Sequence, residues 1–325
     1  ALADLARDWI DTPAAPPVCP SSRKGLEFGT MIPMIDVSAL FAGPGAARDR
    51  TDAAILHAAR DIGFMTISGV PSAFAPTPER RAALLRLFSL PDAEKSKLLR
   101  RKFDPARANV YRGFFPLQSG AMTYKEGIDM GPDVADPGFA TDPSDPLTEA
   151  TPLPPESALP GWRATVAGYY RGMESLGREM MRSVARSLGL AETTFDDAFR
   201  GGISTLRLIH YPVRPESSFE GSDPDKVWVM HNGVRRHTIG GAHVDSGFVT
   251  LLAQDGVEGL QARARDGSWI DVPPIEGTMA VNFGGLLERW TGGRIKATEH
   301  RILGPGRQRF SIPFFYEPRM DAEIG

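Results

Sequence analysis

Apolar positions follow two different periods along this 325-residue chain. In the first part, Ile55, Ala58, Ala59 and Ile62 repeat at i, i+3, i+4 and i+7, the spacing of one helix face, and Gly63 stands where that helix would end. Thr77 followed by Pro78 has the chemistry of an N-cap and first helical position, which predicts a second helix. The longest stripe, Val166, Tyr169, Met173, Leu176, Met180, Val184 and Leu188, predicts a long helix stopping at Gly189, with its apolar face packed on a core. Between them, residues 132–160 carry eight prolines and six acids without any period, the pattern of a solvated surface loop.

From about residue 203 the period shortens to that of strands, in ISTLRLIHY, GFVTLL, GLQARA, SWIDV, TMAVNF, RIKATEHRIL and RFSIPFFY. Turn residues separate these runs, among them Asp266-Gly267, Glu276-Gly277 and Gly304-Pro305-Gly306. Many short strands after a helical part predict an α+β protein with a sandwich or barrel. Val213 to Gly240, poor in apolar residues, reads as a long connection inside this β region.

Composition narrows the function classes. With 42% hydrophobic and 24% charged residues, the chain has enough apolar material for a sizeable core. A net charge of −3 with no basic stripe argues against nucleic acid as the partner. No apolar run approaches the roughly 20 residues of a membrane span. The opening ALADLARDWIDTP lacks both the basic and the apolar parts of a secretory signal. Cys19 is the single cysteine, which precludes an internal disulfide or a multi-cysteine metal site and fits a reducing cytoplasm. A monomer is the default expectation.

Five of the six histidines, His210, His231, His237, His243 and His300, lie in the strand-rich part. His243 and Asp245, expected at the start of a strand, share a face because strand residues alternate. Alone, such a pair is most simply a hydrogen-bonded couple. His300 changes that reading, because it lies on another expected strand that a rolled sheet can bring opposite. Two histidines and a carboxylate on one side of a metal form the facial triad that suits iron(II) with open positions. Downstream, Arg309 and Ser311 share a strand face. A buried guanidinium wants an anion: either an internal Asp or Glu, or a carboxylate-bearing small molecule beside the metal.

Residues 240–283, GGAHVDSGFVTLLAQDGVEGLQARARDGSWIDVPPIEGTMAVNF, together with WTGGRIKATEHRILGPGRQRFSIPFFYEP, resemble the isopenicillin N synthase-like branch of the iron(II)/2-oxoglutarate-dependent oxygenases. The likeness extends to IPMIDVSAL, DIGFMTISGV, LFSLPDAEKSKL, YRGFFPLQSG and KEGIDMG, so it runs from about Ile32 to Pro318. It implies a double-stranded β-helix (jelly-roll) core over 201–325. A mostly helical region over 1–200 would pack on that core and add strands to it, as one integrated unit. It further implies His243, Asp245 and His300 as iron ligands, and Arg309, Ser311 and Tyr211 as the 2-oxoglutarate site. Phe315, Thr205, Arg112 and His231 become candidates for the substrate pocket. The implied reaction couples decarboxylation of 2-oxoglutarate by dioxygen to hydroxylation, desaturation or cyclisation of a small molecule.

Two departures from the pattern stand out. Asn282-Phe283-Gly284-Gly285 lacks the Asp usual after that turn, so a local contact is expected to be missing. The Pro212–His243 connection is long, and its His231 and His237 are expected to be solvated. Three other readings remain open at this point. One is an isopenicillin N synthase-type oxidase that uses no 2-oxoglutarate, since an Arg and Ser there hold the substrate instead. A zinc hydrolase would use the same triad but needs a general base. A non-catalytic jelly-roll binding module would leave triad and clamp unexplained.

Overall fold

The computed structural model describes residues 31–118, 123–220 and 223–324, so the signal-sequence reading and Cys19 lie outside the described residues. The helical spacings produce helices at the expected places: α1 (Ala46–Asp61), α2 (Pro78–Leu85) and α3 (Trp162–Ser187). Thr77 caps α2, its hydroxyl accepting from the Arg80 amide at 3.3 Å. The stripe on α3 buries Val166, Met173, Leu176, Met180 and Val184.

Thirteen strands form among the described residues. The first part supplies β1 (Met34–Asp36), β2 (Phe64–Ser68), β3 (Gly113–Phe115) and β4 (Glu126–Met130). The remainder supplies β5 (Thr205–Tyr211), β6 (Trp228–His231), β7 (Val234–His243), β8 (Val249–Gln254) and β9 (Leu260–Arg263). Then follow β10 (Trp269–Asp271), β11 (Met279–Phe283), β12 (His300–Leu303) and β13 (Arg309–Tyr316). One sheet has the order β1-β2-β11-β8-β13-β5-β4-β3, the other β10-β9-β12-β7-β6. From β5 onward the chain passes back and forth between the two sheets, which is the winding of a double-stranded β-helix. The fold is α+β, with this jelly roll carrying helices on the outer face of its larger sheet.

Two apolar clusters follow from strand alternation. Leu206, Leu208, Ile312, Phe314 and Tyr316 face outward and pack with the α3 stripe. Ile209, Tyr211, Leu252, Ala280, Leu260, Ala262 and Ile302 face inward and fill the space between the sheets. At the inward positions of β5 and β13, functional side chains continue this second layer.

Three expectations need correcting. Residues 213–240 are not one connection: β6 and the first four residues of β7, Val234 to His237, form a hairpin turning at Asn232 (φ 49°) and Gly233 (φ 74°). That pair of left-handed residues suits a two-residue hairpin turn. His243 is the last residue of β7 and Asp245 lies in the loop after it, rather than both opening a strand. The 132–160 loop is also less solvated than its composition implies. Glu149 is buried there, and its carboxylate accepts the amides of Val110, Tyr111 and Arg112 at 2.5–2.9 Å.

Candidate metal centre

His243 and His300 are direct partners across the antiparallel β7–β12 pair, and their rings lie 4.4 Å apart. Asp245, two residues past the strand, turns back so that its Oδ1 lies 3.6 Å from His243 Nε2 and 3.8 Å from His300 Nε2. One ligand atom from each of the three residues falls within 4.8 Å of the others. His300 and Asp245 are nearly enclosed, whereas the His243 side chain is 54% exposed, so the group opens on the His243 side.

The surrounding bonds point one atom of each residue into the group. His243 Nδ1 lies 2.7 Å from the Gly241 carbonyl and His300 Nδ1 3.1 Å from the Thr298 carbonyl. A carbonyl accepts only from a protonated Nδ1, which leaves Nε2 with its lone pair in the neutral ring. Asp245 Oδ2 accepts from the Thr250 hydroxyl at 2.6 Å and the Asn282 amide at 2.8 Å, leaving Oδ1 free. Burial by itself would raise the Asp245 carboxyl, but His300, Thr250, Asn282 and His243 together hold it below the ordinary value. Burial also keeps His300 neutral by lowering its pKa. Two neutral imidazoles and one carboxylate, with orientation fixed from behind, fit a divalent transition metal such as iron(II).

Further into the barrel, Arg309, Ser311 and Tyr211 are all buried, with Arg309 opposite Tyr211 in the β13–β5 register. The Arg309 guanidinium is 0% exposed and makes one hydrogen bond, from Nη2 to Gln254 Oε1 at 3.2 Å. Its Nε and Nη1 have no acceptor. Asp255, the carboxylate nearest in effect, is held instead by the amides of Phe310 at 2.6 Å and Val257 at 3.1 Å. So no internal carboxylate pairs with Arg309 among the described residues, and burial pulls its pKa below the usual arginine value. A buried fork with two orphaned donors is the feature a small dicarboxylate would satisfy.

The substrate-pocket candidates divide. Phe315 lies inward, paired with Thr250 in register, and therefore sits beside the triad. Arg112 does not open onto the site. It is 0% exposed, and its Nη atoms donate to Thr205 Oγ1 (2.6 Å) and to the carbonyls of Met130, Leu147 and Ile203 (3.0–3.4 Å). Arg112 and Thr205 are thus one structural tie holding the 147 and 203 segments. His231 meets Gln261 at 3.1 Å and Asp271 at 3.2 Å. Gln261 alternates with inward Ala262, so His231 lies on the outer face of the smaller sheet. His237 is no solvated loop residue either, packing against Trp228 and Phe219.

Thr250, Asn282 and Gln254 do not stand out in the sequence, although all three occupy inward positions of strands next to the triad or clamp. The missing Asp after the Asn-x-Gly turn leaves no gap, because backbone closes it. The Gly285 amide donates to the Asp245 carbonyl at 2.8 Å and the Gly284 amide to the Phe248 carbonyl at 2.9 Å. Gly284 is required there, since a Cβ would overlap the Gly247 carbonyl.

A jelly roll with a two-histidine, one-carboxylate triad at its mouth and an unpaired arginine inside defines the class of non-haem iron oxygenases. Comparison with known proteins agrees. The 2OG-Fe(II) oxygenase superfamily profile matches residues 203–318, and the profile described as non-haem dioxygenase in morphine synthesis N-terminal matches residues 32–156. A 2-oxoglutarate-Fe(II) type oxidoreductase of Emericella nidulans is 31% identical over 304 residues, covering 90% of this chain and 81% of that protein. Isopenicillin N synthase of Streptomyces clavuligerus is 28% identical over 299 residues, covering 90% and 86%. A full-length Neurospora crassa protein, solved in complex with alpha-KG and thymine, superposes with a TM-score of 0.74 at 27% identity, covering 92% and 89%. The chain belongs to the 2OG-Fe(II) oxygenase superfamily, and it is an iron(II)- and 2-oxoglutarate-dependent oxidoreductase acting on a small molecule.

Proposed function

We propose that His243, Asp245 and His300 hold the iron(II), and that Arg309 with Ser311 and Tyr211 receives the far carboxylate of 2-oxoglutarate. The observation that carries this reading is the pair of orphaned Arg309 nitrogens buried inside a barrel whose mouth bears the triad. Iron(II) with 2-oxoglutarate and dioxygen supplies, when bound, an oxidation able to break a substrate C–H bond, with succinate and carbon dioxide released.

The protein's own part is orientation and exclusion of water. The Gly241 and Thr298 carbonyls fix both imidazole rings with Nε2 forward. Thr250 and Asn282 keep Asp245 ionised and aimed. Arg309 sets the depth at which the co-substrate stops, and Tyr211, its ring 5.5 Å from the guanidinium, closes the site on one side. A zinc hydrolase finds no support in the superfamily match. The setting is a reducing cytoplasm and the state a monomer, both resting on sequence alone.

Arg309→Ala tests the clamp. Leaving a dicarboxylate unpaired inside the barrel costs about 3 to 5 kcal/mol, which is roughly a hundredfold or more in 2-oxoglutarate affinity. Calorimetric titration of the iron-loaded protein under nitrogen should show that loss, with iron affinity retained. Arg309→Lys should recover only part of it, because an ammonium lacks the planar fork. Unchanged 2-oxoglutarate binding in Arg309→Ala would overturn the assignment of Arg309 as the clamp for its far carboxylate.

A further inference from the structure

Opposite the triad, the inner face of the larger sheet carries a second charged group that neither iron nor 2-oxoglutarate uses. Arg207 on β5 binds the Asp129 carboxylate on β4 through both Nε and Nη2, the latter at 2.9 Å, and the two residues are register partners. Arg100 reaches the same carboxylate through its Nη2, while its Nε donates to the Gly113 carbonyl at 3.1 Å. Asp129 is wholly buried, and although burial would raise its pKa, the two guanidiniums hold it ionised. Two arginines on one carboxylate leave one positive charge over.

The direction of that excess charge is set by the bonds already made. Asp129 takes the Nε/Nη2 side of Arg207, so Nη1 and the second Nη2 hydrogen are free to form a fork, and no protein acceptor meets Nη1 among the described residues. Arg207 keeps 22% of its side chain accessible and Arg100 14%, whereas Asp129 keeps none. Accessibility therefore belongs to the donors. Arg207 alternates with outward Leu206 and Leu208 and shares its face with Ile209 and Tyr211, so its free end lies between the sheets. Two rings frame it: Phe315 with its centroid 5.2 Å from the guanidinium carbon and Phe115 at 5.8 Å. Phe315 in turn is the register partner of Thr250, which holds Asp245. Phe315 and then Thr250 thus link this group to Asp245.

We propose that Arg207, braced by Asp129 and Arg100 and framed by Phe115 and Phe315, is the substrate-recognition residue, and that the substrate is a small flat molecule bearing a carboxylate. The proposal rests on the oxygenase reading of the site and names its substrate class. An ion pair built for stability alone needs one guanidinium per carboxylate; the second, uncompensated charge and the unused fork are what an incoming anion completes. The aromatic frame takes the flat body of the molecule and turns its other edge toward the triad.

The test uses benzoate and its neutral isostere benzamide as probes, titrated calorimetrically into the iron(II)- and 2-oxoglutarate-loaded protein under nitrogen. Benzoate should bind about tenfold or more tighter than benzamide, the ratio given by about 1.4 kcal/mol of charge-assisted bonding. Arg207→Gln should erase the preference while 2-oxoglutarate affinity stays within about twofold, and Arg207→Lys should restore part of it. Equal binding of the two probes to the unaltered protein overturns the proposal without recourse to any variant. So does benzoate that competes with 2-oxoglutarate and is lost in Arg309→Ala alone, because the anion would then occupy the clamp. Failure of 2-oxoglutarate to bind, with the benzoate preference intact, would refute the co-substrate assignment and leave the carboxylate subsite standing.

Discussion

The proposed role of Asp245 depends on two neighbours outside the triad. Its Oδ2 is held by Thr250 and Asn282, from adjacent strands where these two residues are register partners. Such an anchor stops the carboxylate from rotating and leaves Oδ1 as the forward atom. Removing outer contacts of this kind typically weakens a metal site about 10- to 100-fold. Asn282→Ala and Thr250→Val should each lower iron(II) affinity by about that range, read by competition with a chelator, while the folded structure persists. Asp245→Ala should abolish turnover outright. Iron affinity unchanged in both anchor variants would mean that the Asp245 rotamer is set by the backbone contacts of Gly285 instead.

At the scale of elements, α3 shows how one residue type serves opposite purposes along a helix. Gly177 faces the larger sheet, and a Cβ there would come within 2.5 Å of the Tyr316 ring. That ring is itself stacked on Phe199 at 4.5 Å and cannot yield readily. Gly168 on the same helix faces open space, with nothing near its would-be Cβ. Gly177→Ala should therefore destabilise by about 1 to 3 kcal/mol through overpacking, and Gly168→Ala should stabilise by about 0.5 to 1 kcal/mol through helix propensity. Urea midpoints moving in the same direction for both would disprove the packing argument.

The elements also show what could be read beforehand. The α3 stripe and the β5 and β13 alternation are legible because burial on one face forces a period. Asn232-Gly233 carries the chemistry of a hairpin turn, but β6 and β7 alternate weakly, with exposed Met230 and Val234 and half-buried His231, so the pair does not stand out. The triad is visible as residue types, whereas its geometry depends on the β7–β12 register, a long-range pairing that spacing does not encode. Arg112 and Arg207 illustrate the same limit: both are arginines near strands, and only tertiary contacts show which is tied to carbonyls and which keeps a free fork.

For the whole molecule, buried titrating groups couple stability to pH. Glu174 on α3 is raised from 4.5 to about 7, chiefly by burial, with Asp136 adding to the rise and Arg178 and Arg171 opposing it. Glu317, just beyond β13, is raised to about 8, again chiefly by burial, against the Phe248 amide and with Asp245 adding to it. In the unfolded chain both would release their protons near 4.5. Between that pH and about 7 to 8 the folded protein therefore holds more protons than the unfolded one. For these two groups stability falls as pH rises through this window, whereas His300 and His237, which burial holds below the ordinary 6.5, favour the folded state as pH rises past that value. Asp129 acts with the opposite sign to the two glutamates: its lowered pKa contributes stability that is present above the ordinary aspartate value and lost as pH falls through the folded one. Taken by themselves, the carboxyl groups favour the folded state most at mildly acidic pH. Glu174→Gln removes one titrating group without touching the metal loop. It should flatten the decline toward pH 8 by on the order of 1 to 3 kcal/mol while leaving the acid limb in place. An identical slope of melting temperature against pH in the unaltered protein and in Glu174→Gln would contradict the assignment of Glu174 as a buried neutral acid.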